Sequence, residues 1–202
     1  NVSEKIKNVS GKHCLTAVVA GYEVATRIGS AAGTELRLRG FHPQGTHGTI
    51  ASAVTAAKLM TLNKEQTLHA MGIAGSLGAG LMAAQEGAMV KRLHSGRAAE
   101  AGVLAAELAA KKFTGISNII EADYGGYLSS FSGKNNFTRA TDQLGEVWEC
   151  ANTGIKPYSS VTSIHAALDC LKAIMKDNKI YPNNIKKIKA KISHPTYVHC
   201  AW

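Results

Sequence analysis

The stretch Thr49–Leu62 (TIASAVTAAKLMTL) constrains the fold more than any other part of the chain. It reads as a helix on which nearly every face is apolar or small, and a helix without a polar side must be buried on most sides. Other helices must therefore surround it. Leu15–Arg27 (LTAVVAGYEVATR) places Val18, Tyr22 and Ala25 at steps of three or four, a spacing that continues to Ile28. Asn63 opens NKEQ, a capping-box spacing with Gln66 three residues on, ahead of a helix through about Met71 to Gln85. That helix carries Gly72, Gly75, Gly78 and Gly80. Each costs roughly 1 kcal/mol against Ala in an exposed helix, so the segment is either packed closely against other helices or broken near Gly78. Ala98–Phe113 is a strong alanine-rich helix with Lys111 and Lys112 in its last turn, where cations suit the helix dipole. The glycine-bearing stretches Gly29–Gly48 and Gly87–Gly96 read as loops.

The character changes late in the chain. Tyr124-Gly125-Gly126-Tyr127 marks a turn, Leu128–Phe131 the end of a short helix, and Ser132–Asn136 a polar linker. Ile155-Lys156-Pro157-Tyr158 is extended, because the residue before proline avoids the helical region. Ser159–Met175 is an amphipathic helix, and Ile185–Ile192 alternates Ile188, Ala190 and Ile192 with Lys187, Lys189 and Lys191, the pattern of a half-buried strand. A lone strand is not stable, so its partners are expected beyond Trp202. The fold class is thus mainly α: a helical domain over residues 1–150, then the start of a smaller α/β domain over 151–202, truncated. The absence of an initial Met is read the same way.

Charge and cysteine content narrow the function classes. The net charge is +9. A basic surface of this kind binds nucleic acid, attracts a small polyanion, or is simply solvated lysine. No basic-and-aromatic pattern supports base stacking, and no nucleic-acid partner is expected. Cys14, Cys150, Cys170 and Cys200 form no C-x-x-C pair and no zinc-finger spacing, so reduced thiols and no metal centre are expected. No run reaches the roughly 18 apolar residues of a membrane helix, and Asn1–Ser10 lacks the apolar centre of a signal peptide. A cytoplasmic protein without a membrane partner is the expectation.

Three segments combine residues that could carry chemistry. Gly40–Gly48 (GFHPQGTHG) runs straight into the buried helix and sets His42 and His47 beside a helix N-terminus, which favours an anion such as a carboxylate. Val90–Ala98 (VKRLHSGRA) gathers Lys91, Arg92, His94 and Arg97 just before a helix start, an anion-binding composition. Lys156-Pro157-Tyr158, with His165 on the following helix, lies at the junction of the two architectures. Each segment has a plainer reading: a packed loop, solvated surface, a linker lysine beside a packed tyrosine. There is no G-x-S-x-G, no P-loop and no dinucleotide fingerprint; Gly75-x-x-Gly78-x-Gly80 lacks a preceding strand and reads as packing glycine.

Taken together and in order, these segments resemble the MmgE/PrpD family. GFHPQGTHGTIASAVTAAKLMTLN resembles the family's GFHPTGTFG segment and the helix after it. GIAGSLGAGLMAAQEGAMVKRLHSGRAAEAGVLAAELAAKKFTG follows the family pattern throughout, KPYSSVTSIHAALDCL resembles its KPYP segment, and LTAVVAGYEVATRIG matches the helix before the first motif. The resemblance implies a large helical domain and a smaller α/β lid with the active site between them. It implies a homodimeric lyase that needs no metal or other cofactor and acts on small di- or tricarboxylic acids. Family reactions are dehydration of 2-methylcitrate, decarboxylation of cis-aconitate and epimerisation of iminodisuccinate, each moving a proton next to a carboxylate. Matched by motif, Lys91 and Lys156 become carboxylate binders and His42 a substrate-binding or proton-transfer group, these three forming the catalytic set; His94, Arg97, Tyr158 and His165 follow as substrate-binding residues. Gln44, His47, Ser159 and Thr162 depart from the usual Thr, aromatic, Pro and Arg, which leaves the substrate open. Nothing here matches the family's upstream catalytic segment, so an inactive or split fragment acting as an interaction subunit stands as the alternative, as does an epimerase of the same family.

Overall fold

Helices make up nearly all the regular structure of the chain, for which a computed structural model describes residues 2–200. In order they are α1 (Val2–Lys5), α2 (Gly11–Ala32), α3 (Glu35–Leu38), α4 (His47–Leu59), α5 (Lys64–Leu77), α6 (Val90–Ala110), α7 (Tyr127–Phe131), α8 (Thr138–Thr141), α9 (His165–Asp177) and α10 (His194–Cys200). Among the described residues there is no strand, only the isolated bridges Phe41–Leu81 and Leu144–Val147. The fold is mainly α, and none of these helices is long and apolar enough to cross a membrane. The chain divides into two compact units, Asn1–Asn152 and Thr153–Trp202.

In the first unit α4 is the helix that the others enclose. It packs on α2, α5 and α6, and Thr49, Ile50, Ala53, Val54, Ala56, Ala57 and Leu59 are buried. Small residues set how closely the helices approach. A β-carbon on Gly21 of α2 would lie 2.0 Å from Thr55 Oγ1 and 2.8 Å from the Ala51 carbonyl of α4. One on Gly102 of α6 would lie 2.4 Å from Ser52 Cβ and 2.6 Å from the Ala53 nitrogen. Both faces of α4 thus press onto glycine, where any side chain would force the helices apart. Ile28, Leu36, Ile50, Ile73, Ile119 and Leu128 close the core around these contacts.

Several boundaries differ from those read in the sequence. The second helix runs on to Ala32, because Ser132 Oγ donates to the Ala32 carbonyl (2.5 Å) and the Asn136 N–H to that of Ala31 (2.9 Å). Ser132 is fully buried, so Ser132–Asn136 is a tie across the unit instead of a polar linker. The capping box forms: the Gln66 N–H donates to Asn63 Oδ1 (2.9 Å) and the Asn63 N–H to Gln66 Oε1 (3.1 Å). Its helix stops at Leu77, and Gly78 is extended, the second of the two readings of the glycine-rich segment. Gly72 and Gly75 do pack closely, against Ile116 and Ile119. Most consequential, α6 begins at Val90, so Lys91, Arg92 and His94 are helical and not in a loop. Lys111 and Lys112 fall just past its end.

A buried ion pair that sequence reading did not anticipate fastens the far end of the unit. On α2, Arg27 Nε donates to Glu23 Oε1 at 2.5 Å. Arg27 also donates to the carbonyls of Asp142 (2.7 Å) and Val147 (2.6 Å), while Glu23 accepts the N–H groups of Glu149 (3.2 Å) and Cys150 (2.9 Å). Every charge-bearing atom of the pair's core thus has a partner, which a buried pair requires.

In the second unit a single 3-10 turn (Thr162–Ile164) leads into α9, and His165 is the one buried residue among those described. The alternating stretch expected as a half-buried strand is not one. Residues 186–192 are exposed, and among the described residues nothing pairs with them. Alternation supplies a face but a strand also needs a ladder of hydrogen bonds. Ile188 and Ile192 instead border a groove of about 480 Å³ shared with Ala166, Cys170 and Leu171 of α9.

Replacing Glu23 by Gln leaves Arg27 buried without its counter-charge and should lower the unfolding free energy by about 3 kcal/mol in a urea titration at neutral pH. Burial pushes the Glu23 carboxyl up, but hydrogen bonds from Cys150, Arg27 and Glu149 outweigh it and hold the pKa below the ordinary 4.5. The unfolded chain therefore binds the proton first. The stabilisation is complete above 4.5 and is lost as pH falls through the lowered pKa. Parent and Glu23→Gln should converge in acid; equal stability at neutral pH would sink the assignment.

Candidate functional site

The GFHPQGTHG segment is held open and rigid by its own backbone. Gly40, at φ +86°, turns the chain after α3, and three hydrogen bonds then lace the segment to the one following α5: Met82 N–H to Gly40 (2.7 Å), His42 N–H to Gly80 (2.9 Å) and Ala79 N–H to Gly45 (3.0 Å). Glycine permits this approach, since a β-carbon on Gly45 would meet the Ala79 carbonyl at 2.0 Å. The Thr46 N–H returns to the carbonyls of His42 and Pro43 (both 3.2 Å), and α4 starts at the next residue. The turn therefore sits at the tip of the most buried helix.

Against this turn lies the first part of α6. His42 Nδ1 and His94 Nδ1 are 2.9 Å apart, with ring centroids at 5.0 Å. Gly80, at φ +139°, covers both; a β-carbon there would come within 3.1 Å of His94 Nδ1 and 3.4 Å of His42 Cβ. One Nδ1 must donate and the other accept, so the two rings cannot both be protonated in this geometry. In the neutral pair one ring then offers a bare Nε2 and the other an Nε2–H. A base and an acid stand side by side. His42 is buried, and burial lowers its pKa first, with the charges of His94 and Lys91 lowering it further.

The helical register of α6 arranges the cations. Lys91, His94 and Arg97 recur every third residue and so share a face. His94 and Arg97 line a groove of about 320 Å³ together with Gly45, Ala79 and Gly80. Arg97 also forms an ion pair with Glu100 and is largely exposed. Arg92 is exposed as well. On the opposite side of the turn, His47 lines a second groove of about 540 Å³ with Val18, Tyr22, Pro43 and Gln44. His47 Nδ1 lies 3.4 Å from the hydroxyl of the buried Tyr127. Burial, with a smaller contribution from His42, takes the His47 pKa down to about 4, and burial pushes the Tyr127 hydroxyl up.

The remaining predicted residues gather in the second unit. Lys156 Nζ donates to the Ser160 carbonyl (3.2 Å), and His165 Nε2 meets the same oxygen (3.3 Å). Tyr158 donates to Asp169 Oδ1 (2.5 Å), stacks edge-on against His165 (5.1 Å) and lies under Lys172 Nζ (5.2 Å). Thus His42, Lys91, His94 and Arg97 form one group, and Lys156, Tyr158 and His165 another. Sequence reading missed Tyr127, Gly80 and Asp169. Only Asp169 had a usable signal: His165, Asp169 and Lys172 follow one another at helical steps of four and three.

The chain is similar to known proteins. Residues 2–140 match the MmgE/PrpD N-terminal domain. A cis-aconitate decarboxylase-like protein of Aspergillus oryzae is 34% identical over 209 residues, covering 96% of this chain and 43% of its own length. A cis-aconitate decarboxylase of Aspergillus terreus is 30% identical over 100% of this chain and 44% of its own, and the human cis-aconitate decarboxylase 29% identical over 94% and 40%. The chain spans less than half the length of these relatives.

Two titrations test the electrostatics. Histidine NMR should show His42 titrating below the ordinary 6.5, and Lys91→Ala should move it upward, because removing a positive neighbour favours protonation. No upward movement would separate Lys91 from the pair. His47 stays neutral in the folded chain to about 4 while the unfolded chain protonates near 6.5. Its share of stability is therefore whole above 6.5 and drains away as pH falls from 6.5 towards 4. His47→Phe should flatten the fall in unfolding free energy across that window, as measured by urea titration at several pH values.

Proposed function

This chain belongs to the MmgE/PrpD family, and on that premise we propose that it is part of a cofactor-independent lyase for small tricarboxylic acids, of the cis-aconitate decarboxylase type. The observation that carries the reading is the His42–His94 contact at 2.9 Å beside Lys91. The names of the relatives favour decarboxylation over the family's dehydration and epimerisation.

The chemistry asks for two things. Loss of carbon dioxide breaks the bond between carbon and one carboxylate and leaves the electron pair on the carbon skeleton, which must then take up one proton. The remaining carboxylates need fixed cations. A proton donor at the His42–His94 pair and cations at Lys91 and Arg97 answer both needs on one helix face and one turn. Lys91 lies in the first turn of α6, where the helix dipole is already positive. A cation there is unfavourable for the protein by itself and favourable once an anion binds. Glu100 holds Arg97 in the free protein, so an incoming carboxylate would exchange with it. The family motif also assigns carboxylate binding to Lys156, with Tyr158 and His165 as its companions. As in the family, we propose a homodimer.

Proton NMR of the purified protein in D₂O with cis-aconitate tests the reading. One solvent deuteron should appear in the product per carbon dioxide released. His42→Asn should lower turnover by about 10²–10⁴-fold, the usual worth of a general acid. Lys91→Ala should chiefly raise KM for the trianion. No product and no exchange with cis-aconitate, 2-methylcitrate or iminodisuccinate would overturn the proposal.

A further inference from the structure

The short helix α7 touches the His42 turn at both of its ends. At the start of the turn, the Phe41 ring meets Phe131 edge-on with centroids 4.9 Å apart. At its end, the Tyr127 hydroxyl lies 3.4 Å from His47 Nδ1. Tyr127 and Phe131 themselves pack ring to ring at 4.9 Å, so one aromatic column spans from residue 41 to residue 47. The column is anchored from behind. The Tyr127 N–H donates to the Ile119 carbonyl (2.6 Å), the Leu128 N–H to that of Ile120 (3.2 Å), and Ser132 Oγ to that of Ala32 (2.5 Å). Tyr127 is only 1% exposed.

We propose that Tyr127, with Phe131, is a positioning residue that clamps the His42 turn and so sets the imidazole of His42 against that of His94. The inference rests on the reading of the histidine pair as the proton-transfer group. Its physical basis is the steepness of hydrogen bonding. A contact at 2.9 Å becomes no contact once the rings drift apart by under an ångström. The turn's hydrogen bonds to residues 79–82 fix its backbone on one side, and the aromatic contacts fix it from the other. Contacts at both ends remove the hinge. The groups that face His42 are His94 and Lys91 from α6 and His47 from the start of α4, and α7 reaches it only through the neutral Tyr127 hydroxyl and Phe131. The clamp therefore changes distance without changing charge.

The test is Tyr127→Phe, which keeps the ring and removes only the oxygen that meets His47 Nδ1. Histidine NMR should show His42 moving up towards the ordinary histidine range. With cis-aconitate, kcat should fall about ten- to a hundredfold, as for a small misplacement of a reacting group, with KM nearly unchanged. The acid limb of the pH–rate profile should move with the His42 titration. Phe131→Leu, which loosens the other end of the column, should produce the same direction of change and carries the test if Tyr127→Phe fails to fold. Ile73→Val, which loosens the core away from the turn, should leave the histidine titration and the pH profile in place. Parental titrations in both Tyr127→Phe and Phe131→Leu would overturn the clamp. A protein that acts on none of the acids would overturn the functional reading, while the titrations still decide the clamp.

Discussion

Everything in the first unit depends on the burial of α4 between helices that meet it at glycine. The close contacts at Gly21 and Gly102 set the distances of α2 and α6 from α4. Those distances in turn set where the first turns of α6 stand relative to the tip of α4. The histidine pair spans that gap, from the turn that enters α4 to the second turn of α6. A bulkier residue at either crossing would widen the gap by displacing a whole helix, which no side-chain adjustment at the site could recover.

The same arrangement explains why a polar site survives in so apolar an environment. The backbone groups of residues 40–45 and 79–82 satisfy one another, so the turn brings no unpaired N–H or carbonyl into the interior from those bonds. The two imidazoles satisfy each other in the same way. Placed one by one in a buried pocket, each would demand water or a counter-charge. As a pair they satisfy each other's Nδ1, and their outward nitrogens stay available.

Much of the fold was legible in the sequence where one physical signal dominated. The all-apolar faces of Thr49–Leu62 identified the central helix, and Asn63 with Gln66 identified the start of α5 to the residue. The start of α6 was not legible. Gly87 and Gly96 read as loop, and Met89 at the cap supplies no side-chain hydrogen bond that would mark a helix beginning. Lysines alternating with isoleucines imitated a strand, because period-two alternation describes exposure and is silent about a partner. Of the site, the motifs named His42, Lys91 and His94, but not their relation. His42 and His94 are 52 residues apart, and only the crossing of α4 and α6 brings them together. Tyr127 was hidden in what looked like a simple glycine turn, and nothing in the helical pattern around Glu23 and Arg27 marked them as buried.

The Glu23–Arg27 pair also bears on the order in which the unit assembles. The helices α2, α4, α5 and α6 all lie within the first 110 residues, so their contacts close shorter loops than those of the ion pair. Arg27 and Glu23, by contrast, take their outer partners from 115 to 127 residues away. Closing so long a loop gives no return until both ends are in place. Residues 142–150 are therefore expected to dock after the bundle has formed. Until they arrive, the two charges lie open on α2 with water as their partner. On that order the pair acts as a latch, expected to slow unfolding more than it speeds folding.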